Sequence, residues 1–252
     1  MCRILAAPPS FKRKEAIRIL DDFSPVNSDG TGYVYLENGE FKGDKWPKPL
    51  SYVLKKKSSF LDHLPHKSWT IVHLRAASHG ANTYNNTHPF IVGNWAFVHN
   101  GIFSEYNVVK LALSKYVKFI GETDSEVAAH LFNLAGPKKF TDEVDFSGVF
   151  IALHKNGSLW ISKTSGQLSM FELKNGKVLI ASELPKDYNE TIEALCGWYR
   201  FDKFGKYINH KEAKAWKPPA APSYIVHDRR QSRAAFQFGP KFDHYFGDGD
   251  YV

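Results

Sequence analysis

Cysteine is scarce in this chain, with only Cys2 and Cys196 among 252 residues. A disulfide scaffold or a cysteine-based zinc site needs more thiols than these two. The sequence therefore predicts reduced thiols and a fold that depends on an ordinary hydrophobic core, in which Cys196 is expected to lie. A nucleophilic thiol stays free only in a reducing compartment, so any reactive role for Cys2 implies such a compartment.

Long hydrophobic runs are also lacking. No segment approaches the ~18 consecutive apolar residues of a membrane-spanning helix, and the start of the chain has no apolar leader. We therefore expect a cytoplasmic protein with no membrane partner. With 43% hydrophobic and 15% aromatic residues in 28.6 kDa, the composition predicts one globular core and leaves no room for a second catalytic domain.

A recognisable metal-binding pattern is missing despite eleven histidines. The pair in His63-Leu64-Pro65-His66 is the nearest approach to one. Pro65 interrupts the helix that would bring both rings to one face, and no cysteine or acidic partner accompanies them. The sequence therefore predicts neither a metal nor a cofactor.

The chain begins with Met1-Cys2, and this start carries a chemical possibility. Removal of Met1 would make Cys2 the amino terminus, with an α-amine of pKa ~7.7 to 8.0 beside a thiol of pKa ~8.5. The amine can then take the thiol proton without a separate histidine. The alternative is that Cys2 is a buried cysteine of a first strand.

Arg75 follows a stretch from Ser68 to Ala76 that is rich in β-branched and aromatic residues and predicts a strand. A guanidinium at a strand end, beside a loop that contains Gly80, suits bidentate binding of a carboxylate such as that of an amino acid. The alternative is a surface arginine in an ion pair.

Asn-Gly is a strong hairpin signal, and Asn38-Gly39, Asn156-Gly157 and Asn175-Gly176 are predicted turns between apolar runs. Asn100-Gly101 differs, because residues at helical spacing follow it, and we predict a strand-to-helix junction there. A carboxamide and a glycine N–H fixed at such a junction suit an oxyanion hole.

Thr123-Asp124-Ser125-Glu126 predicts a helix start with a Thr-x-x-Glu capping box. The cap explains Thr123 and Glu126. Asp124 in the first turn is favoured by the helix dipole, which is a sufficient structural reason for it, although its carboxylate is also a candidate ligand for an amino group.

Together these segments resemble the class II glutamine amidotransferases, which are N-terminal-nucleophile hydrolases. The residues that carry the resemblance, in roughly residues 2 to 185, are Cys2, Asp29-Gly30-Thr31-Gly32, Arg75 to Gly80, His88-Pro89, Asn100-Gly101 and Asp124. The resemblance implies that Cys2 is the nucleophile that forms a γ-glutamyl thioester. It also implies that Asn100 and Gly101 form the oxyanion hole.

The resemblance further implies how the substrate is held. Arg75 would bind the α-carboxylate of glutamine and Asp124 its α-amino group. Ser78, His79 and His88 match positions that line the same pocket in the family. No cofactor is implied.

Two departures from the family pattern favour a stand-alone member. Ala76 follows Arg75 where synthase-linked members usually have a tryptophan, and Arg3 follows Cys2 where a glycine is common. Some stand-alone members hydrolyse γ-glutamyl amides other than glutamine, so the substrate stays open between the two. In a strand, Arg3 would point away from Cys2. The ammonia acceptor, whether a protein or a synthase subunit, is not indicated.

The pattern of elements predicts an α+β fold, and the resemblance implies a four-layer αββα sandwich. Strands are predicted at 2–7, 31–37, 68–75, 90–98, 147–154, 158–163, 168–173 and 177–182. Helices are predicted at 13–23, 48–61, 103–118, 124–135 and 187–195.

We divide the chain into an amidotransferase domain at 2–210 and a basic extension at 211–252 that contains proline and aromatic residues. The stretch 206–241 has eight Lys or Arg against Glu212 and Asp228, and the whole chain has a net charge of +7. These features permit binding of nucleic acid or an acidic partner, while a solvated tail is the simpler interpretation. A non-catalytic binding module on the same fold is the remaining alternative.

Overall fold

The computed structural model describes residues 1–212 except 58 and 79. Its strands are β1 (Arg3–Ala7), β2 (Gly30–Glu37), β3 (Glu40–Trp46), β4 (Thr70–Arg75), β5 (Phe90–Val92), β6 (Trp95–Ile102), β7 (Ser147–His154), β8 (Leu159–Lys163), β9 (Ser169–Glu172), β10 (Val178–Ala181), β11 (Ile192–Glu193), β12 (Gly197–Phe201) and β13 (Tyr207–Glu212). Its α-helices are α1 (Arg13–Phe23), α2 (Leu50–Lys56), α3 (Tyr106–Leu113) and α4 (Asp124–Glu143).

The strands form two antiparallel sheets. The first has seven strands in the order β11-β9-β10-β1-β4-β2-β3, and the second has six in the order β13-β12-β8-β7-β6-β5. Side chains alternate between the two faces of each strand, so Ile4 and Ile71 of the first sheet meet Val98 and Ile151 of the second in one buried cluster. The sheets therefore pack face to face.

Helices cover the outer face of each sheet. Ile19 of α1 and Val53 of α2 are buried against Leu5 and Val72, which point away from the second sheet. On the other side, the ring of Phe132 in α4 lies 4.8 Å from that of Phe97 in β6. The predicted α+β fold and its four αββα layers are confirmed.

The helices predicted at 13–23, 48–61, 103–118 and 124–135 are present as α1 to α4, although α2 and α3 are each shorter than predicted. In α4 the backbone of Gly136 leaves the helical region, with φ 73°, and Pro137 follows it. The helical stretch that begins at Asp124 therefore breaks where the prediction ended, and a second short stretch completes α4. The structure has no helix long and apolar enough to cross a membrane within the described residues.

The helix predicted at 187–195 is wrong. Residues 187–191 form turns and irregular structure, and the following residues extend the edge of the first sheet, where Ile192 pairs with Met170 and the Ala194 N–H donates to the carbonyl of Leu168 at 2.8 Å. Pairing with an existing strand satisfies the backbone of this segment, whose helical spacing extends over only nine residues.

The strand predictions require four additions and one division. No pattern predicted β3, β12 or β13, which are polar or lie near a sheet edge, and β11 replaces part of the predicted helix 187–195. The predicted strand 90–98 is in fact the hairpin of β5 and β6, because Gly93 turns the chain with φ 56°. The strand β13 ends at Glu212, two residues beyond the predicted end of the amidotransferase domain at residue 210. The rest of the predicted basic extension, from residue 213 onward, lies outside the described residues.

The three ordinary Asn-Gly turns are confirmed. They connect β2 to β3, β7 to β8 and β9 to β10. Gly39, Gly157 and Gly176 have φ values of 80°, 87° and 73°, a region that glycine adopts without steric cost.

Gly32 in β2 marks the closest approach between the first sheet and the segment that leads into β5. A Cβ at this position would lie 2.1 Å from the carbonyl oxygen of His88 and 2.8 Å from the Cβ of Lys45. Two positions earlier, a Cβ on Gly30 would lie 3.0 Å from the methyl carbon of Thr87, a side-chain atom rather than backbone.

We therefore expect Gly32→Ala to lower the free energy of unfolding by about 1 to 3 kcal/mol or more, since a backbone carbonyl must move. Gly30→Ala, in the same strand, is the matched control and should cost clearly less. Urea denaturation followed by circular dichroism measures both, and equal losses for the two variants would contradict this account of the packing.

Candidate active site

Cys2 lies at the start of β1, at one end of the gap between the two sheets. Its neighbours on the same side of the strand, Ile4 and Ala6, point into that gap. The thiol is partly buried and its Sγ donates to the carbonyl of Ala76 at 3.6 Å. Asn27 Nδ2 donates to the carbonyl of Met1 at 2.8 Å and so fixes the chain just before the thiol.

Arg3 points to the opposite side, as predicted. Its guanidinium lies 6.0 Å from the ring of Phe23, which belongs to the helix-covered side of the first sheet, and 3.7 Å from Glu183. The positive charge of Arg3 is therefore directed away from the thiol.

Three charged groups influence the ionisation of Cys2. Burial raises the pKa of its thiol above the usual value, while the positive amino terminus and Arg75 oppose this rise. The negative charge of Asp124 adds to it. The side chains of Arg75 and Asp124, predicted from separate motifs, thus lie close enough to Cys2 to influence its ionisation.

Arg75 is the last residue of β4 and is only 2% exposed. Its guanidinium donates to the carbonyls of Gly80 (3.1 Å) and Ala81 (3.3 Å) and to Asn82 Oδ1 (2.9 Å). The loop that follows β4 therefore folds back over its own arginine. The planar fork of donors is held at a fixed place beside the thiol.

Asp29 anchors the same loop from the opposite strand. Its carboxylate accepts from the Ala77 N–H at 2.8 Å and from Asn82 Nδ2 at 3.0 Å. The Ala77 hydrogen bond is the main reason why the pKa of Asp29 is lowered. Asn82 consequently joins Asp29 and Arg75, so one amide ties the Asp-Gly-x-Gly turn to the strand end.

Asp124 begins α4 and is 5% exposed. Its Oδ2 accepts from the N–H of Phe103 at 2.9 Å, and its Oδ1 from the N–H of Ser125 at 2.8 Å. The helix start thereby holds the segment that follows β6.

The capping box predicted at this helix is only half present. Thr123 Oγ1 accepts from the Glu126 N–H at 3.3 Å, as expected. The carboxylate of Glu126 instead accepts from the N–H groups of Ile120 and Gly121 at 2.8 and 2.7 Å, because the chain before the helix folds back over its first turn.

Asn100 and Gly101 lie within β6, which continues to Ile102, so the predicted strand-to-helix junction is wrong by several residues. The reason for Gly101 is visible in the pairing with Gly148 of β7, where a Cβ on Gly101 would lie 2.0 Å from the carbonyl oxygen of Ser147. The side chain of Val98 points into the gap between the sheets. Asn100 is two residues later in the same strand, so its side chain is on the same face. Among the described residues, its buried Oδ1 has no hydrogen-bond partner.

Three buried histidines lie near this end of the gap: the rings of His73 and His88 contact each other, whereas the ring of His99 is on the outer face of β6, stacked on Phe150. His73 Nε2 lies 3.1 Å from the carbonyl oxygen of His99, and the ring of His88 lies 4.0 Å from that of His73. Burial lowers the pKa of His73 to about 3, that of His99 to about 4, and that of His88 well below its usual value. All three rings are therefore neutral at physiological pH.

The remaining predicted residues fall in or beyond the loop after β4. Ser78 is exposed there, and His79 lies outside the described residues. The structure thus brings Cys2, Arg75 and Asp124 together. His88 lies against the ring of His73. Within the described part of the chain, no group of three His, Cys, Asp or Glu side chains is arranged to hold a metal ion.

The sequence patterns assign no role to several side chains that build this site, namely Asn27, Asp29, His73, Asn82 and His99. Asp29 had a signal in the Asp-Gly-x-Gly motif. His73 had a weaker one, since a histidine two residues before Arg75 in a strand shares its face. Asn27 and Asn82 had no signal, because their roles depend on contacts across the fold.

A sandwich of two sheets between helices, with a cysteine beside the first strand facing the gap, defines the N-terminal-nucleophile type of hydrolase fold. Comparison with known proteins gives the family. Residues 21–182 match the family described as glutamine amidotransferases class-II. The chain belongs to the class II glutamine amidotransferases, and the family predicted from the sequence is confirmed.

Two relatives and two solved structures illustrate the similarity. A probable glutamine–fructose-6-phosphate aminotransferase of Acanthamoeba polyphaga mimivirus is 31% identical over 185 residues, which are 67% of this chain and 30% of the relative. Its counterpart from Wigglesworthia glossinidia brevipalpis is 44% identical over 82 residues, 32% of this chain and 13% of that protein. The chain therefore spans less than a third of the length of either relative.

The solved structures share the fold. Glutamine phosphoribosylpyrophosphate amidotransferase from B. subtilis has a TM-score of 0.65 at 16% identity, over 84% of this chain and 49% of that one. A glutamine aminotransferase class-II domain protein from Silicibacter pomeroyi has a TM-score of 0.52 at 12% identity, over 84% of this chain and 99% of that one.

The buried histidines make stability depend on pH. Unfolded imidazoles bind a proton below pH ~6.5, whereas the folded rings of His73 and His99 resist protonation down to about pH 3 and 4. The free energy of unfolding should therefore fall as the pH drops from ~6.5 toward ~4, by up to ~1.4 kcal/mol per pH unit for each such ring. Urea denaturation across this range measures the slope. His99→Gln should reduce it, and an unchanged slope would contradict a neutral buried His99.

Proposed function

We propose that this chain hydrolyses the side-chain amide of glutamine and releases ammonia, with Cys2 as nucleophile after removal of Met1. The observation that carries the proposal is the position of the Cys2 thiol. It lies at one end of the inter-sheet gap, where the charges of both Arg75 and Asp124 influence its pKa. A cation and an anion near one thiol are the charges that the zwitterionic end of an amino acid requires.

The first half-reaction uses groups of Cys2 itself. Removal of Met1 frees the α-amine, which accepts the thiol proton. The thiolate then attacks the side-chain carbonyl carbon of glutamine, and negative charge develops on the carbonyl oxygen. Asn100 and Gly101 stabilise that charge. Collapse of the tetrahedral intermediate breaks the C–N bond, and the proton held by the α-amine leaves with ammonia.

The second half-reaction hydrolyses the γ-glutamyl thioester that remains. The neutral α-amine accepts a proton from water as the water oxygen attacks the thioester carbon. The C–S bond breaks, glutamate is released, and the thiol is restored. The burial that raises the pKa of the thiol makes it a poor nucleophile until the adjacent amine is free.

Arg75, Asp124 and the loop after β4 recognise the substrate. The α-carboxylate of glutamine binds Arg75 and its α-amino group binds Asp124. Because Arg75 donates to Gly80, Ala81 and Asn82, the substrate carboxylate replaces at least one of these contacts. We place Ser78, His79 and His88 at the edge of the same pocket.

We further propose that the chain acts as a stand-alone domain that supplies ammonia to an acceptor on another protein or synthase subunit. The Silicibacter pomeroyi chain supports this, since 99% of it corresponds to the present chain and the fold therefore exists at about this length. Ala76 after Arg75 favours the same interpretation.

A γ-glutamyl amide other than glutamine is the second candidate substrate. Two features of the loop after β4 favour it, namely the small side chain of Ala76 and the exposure of Ser78. A non-catalytic binding module is the third possibility, and it requires that Met1 be retained.

Cys2→Ala should reduce release of glutamate from glutamine by at least ~10³-fold, because the covalent intermediate is lost. Cys196→Ala is the matched control, because the structure places this cysteine at the surface rather than in the core position predicted from the sequence, with its Sγ donating to the carbonyl of Thr164. Coupled glutamate detection measures turnover, and intact mass shows whether Met1 has been removed. Full turnover by Cys2→Ala, or retention of Met1 with no turnover, would refute the proposal.

Arg75→Lys should lower kcat/KM for glutamine about 10- to 100-fold, mainly through KM, because one charged hydrogen bond of the planar fork is lost. The control is Arg18→Lys, an exposed arginine paired with Glu15 and Asp187. The same assay with a substrate that lacks the α-carboxylate should show little difference between wild type and Arg75→Lys. A similar loss for both substrates would place Arg75 outside carboxylate binding.

A further inference from the structure

His73 is a polar side chain in a place that the fold otherwise fills with apolar ones. It lies in the middle of the first sheet, where its register partners are Ile4 of β1 and Gly32 of β2, and it is fully buried. Ile71, two residues earlier on the same face, belongs to the inter-sheet core. Burying an imidazole here costs free energy unless a hydrogen bond compensates.

One hydrogen bond does so, and it crosses between the sheets. His73 Nε2 lies 3.1 Å from the carbonyl oxygen of His99 in β6. A carbonyl can only accept, so Nε2 carries the proton and donates. The ring is neutral, since burial depresses its pKa to about 3. The other ring nitrogen, Nδ1, has no partner within the described part of the chain.

The acceptor is the peptide group that joins His99 to Asn100. Its orientation sets the direction in which the Asn100 side chain leaves the strand. On the far side, the ring of His99 stacks on Phe150 at 4.1 Å, and its Nδ1 lies 3.1 Å from Ser125 Oγ, next to Asp124. This peptide is therefore held from both faces of β6.

We propose that His73 is a positioning residue for the oxyanion hole: its Nε2–H fixes the His99–Asn100 peptide, and hence the Asn100 carboxamide, relative to Cys2 on the other sheet. This inference rests on the proposed function, because it assigns Asn100 to the oxyanion. We assign His73 no direct contact with substrate or thiol. It connects the sheet that carries the nucleophile to the sheet that carries the amide.

A histidine that only stabilised the core would affect folding and leave the chemistry unchanged. The test therefore compares two substitutions of His73 whose side-chain amides differ in length. His73→Gln keeps an N–H donor near the position of Nε2, whereas His73→Asn is too short to reach the His99 carbonyl. Both variants bury a carboxamide. Their effects on folding should therefore be similar, and their effects on catalysis should differ.

We expect His73→Asn to lower kcat for glutamine about 10- to 100-fold with KM changed less than about twofold, because a misplaced oxyanion donor acts mainly on the transition state. His73→Gln should recover most of the loss. The control is His63→Asn, since His63 also makes a hydrogen bond through Nε2, to Thr70 Oγ1 at 3.0 Å, but lies on the helix-covered side with Tyr33. It should leave kcat unchanged.

Two further measurements test the oxyanion hole separately from the thiol. An aldehyde analogue of glutamine forms an S–C bond with Cys2, and the thiol proton passes to the resulting oxygen. Its affinity should fall in His73→Asn in parallel with kcat. Alkylation of Cys2 by iodoacetamide needs no oxyanion donor and should keep its wild-type rate.

Equal kcat in His73→Asn and His73→Gln would overturn the inference, as would an alkylation rate that falls together with kcat. If His73→Asn fails to fold, His73→Gln decides alone. Loss of aldehyde affinity in that folded variant would refute a role for the Nε2–H donor, and retention of the affinity would support one. Failure of the proposed function is distinct, because it appears in wild type and Cys2→Ala rather than in the His73 variants.

Discussion

The packing of two sheets face to face is the constraint on which the rest of this structure depends. Most of the gap between the sheets is filled by aliphatic side chains such as Ile4, Val98 and Ile151, which exclude water and set the spacing. At one end the same alternation of side chains continues with Cys2 and Arg75. A site therefore arises where the hydrophobic core stops, and its geometry follows from the register of the strands.

The polar end of the gap is stabilised by contacts that cross between segments distant in sequence. Asn82 joins Arg75 to Asp29, and Asp124 holds the chain after β6 through the Phe103 N–H. The buried charges of Arg75 and Asp124 and the half-buried charge of Asp29 are each hydrogen-bonded, which is the condition for keeping a charge away from water. The same contacts that satisfy the charges also fix their distance from the thiol.

Much of this arrangement is predictable from sequence, because it follows from local patterns. The end of β4 at Arg75 and the start of α4 at Asp124 each have a short-range signal. The division of 90–98 into two strands depended on Gly93, and the exposed strand β13 exists only because β12 offers it an edge. The role of Asn82 in particular cannot be read from any pattern, since it depends on where a loop returns after seven residues.

The close pairing of Gly101 with Gly148 limits how this end of the molecule can diversify. Neither position has space for a side chain, since an added Cβ would meet backbone atoms within 2.3 Å in both cases. Adaptation toward different amides is thus confined to the loop after β4, where Ser78 is open to solvent. Directed evolution of selectivity would do best to leave the paired strands untouched and randomise that loop.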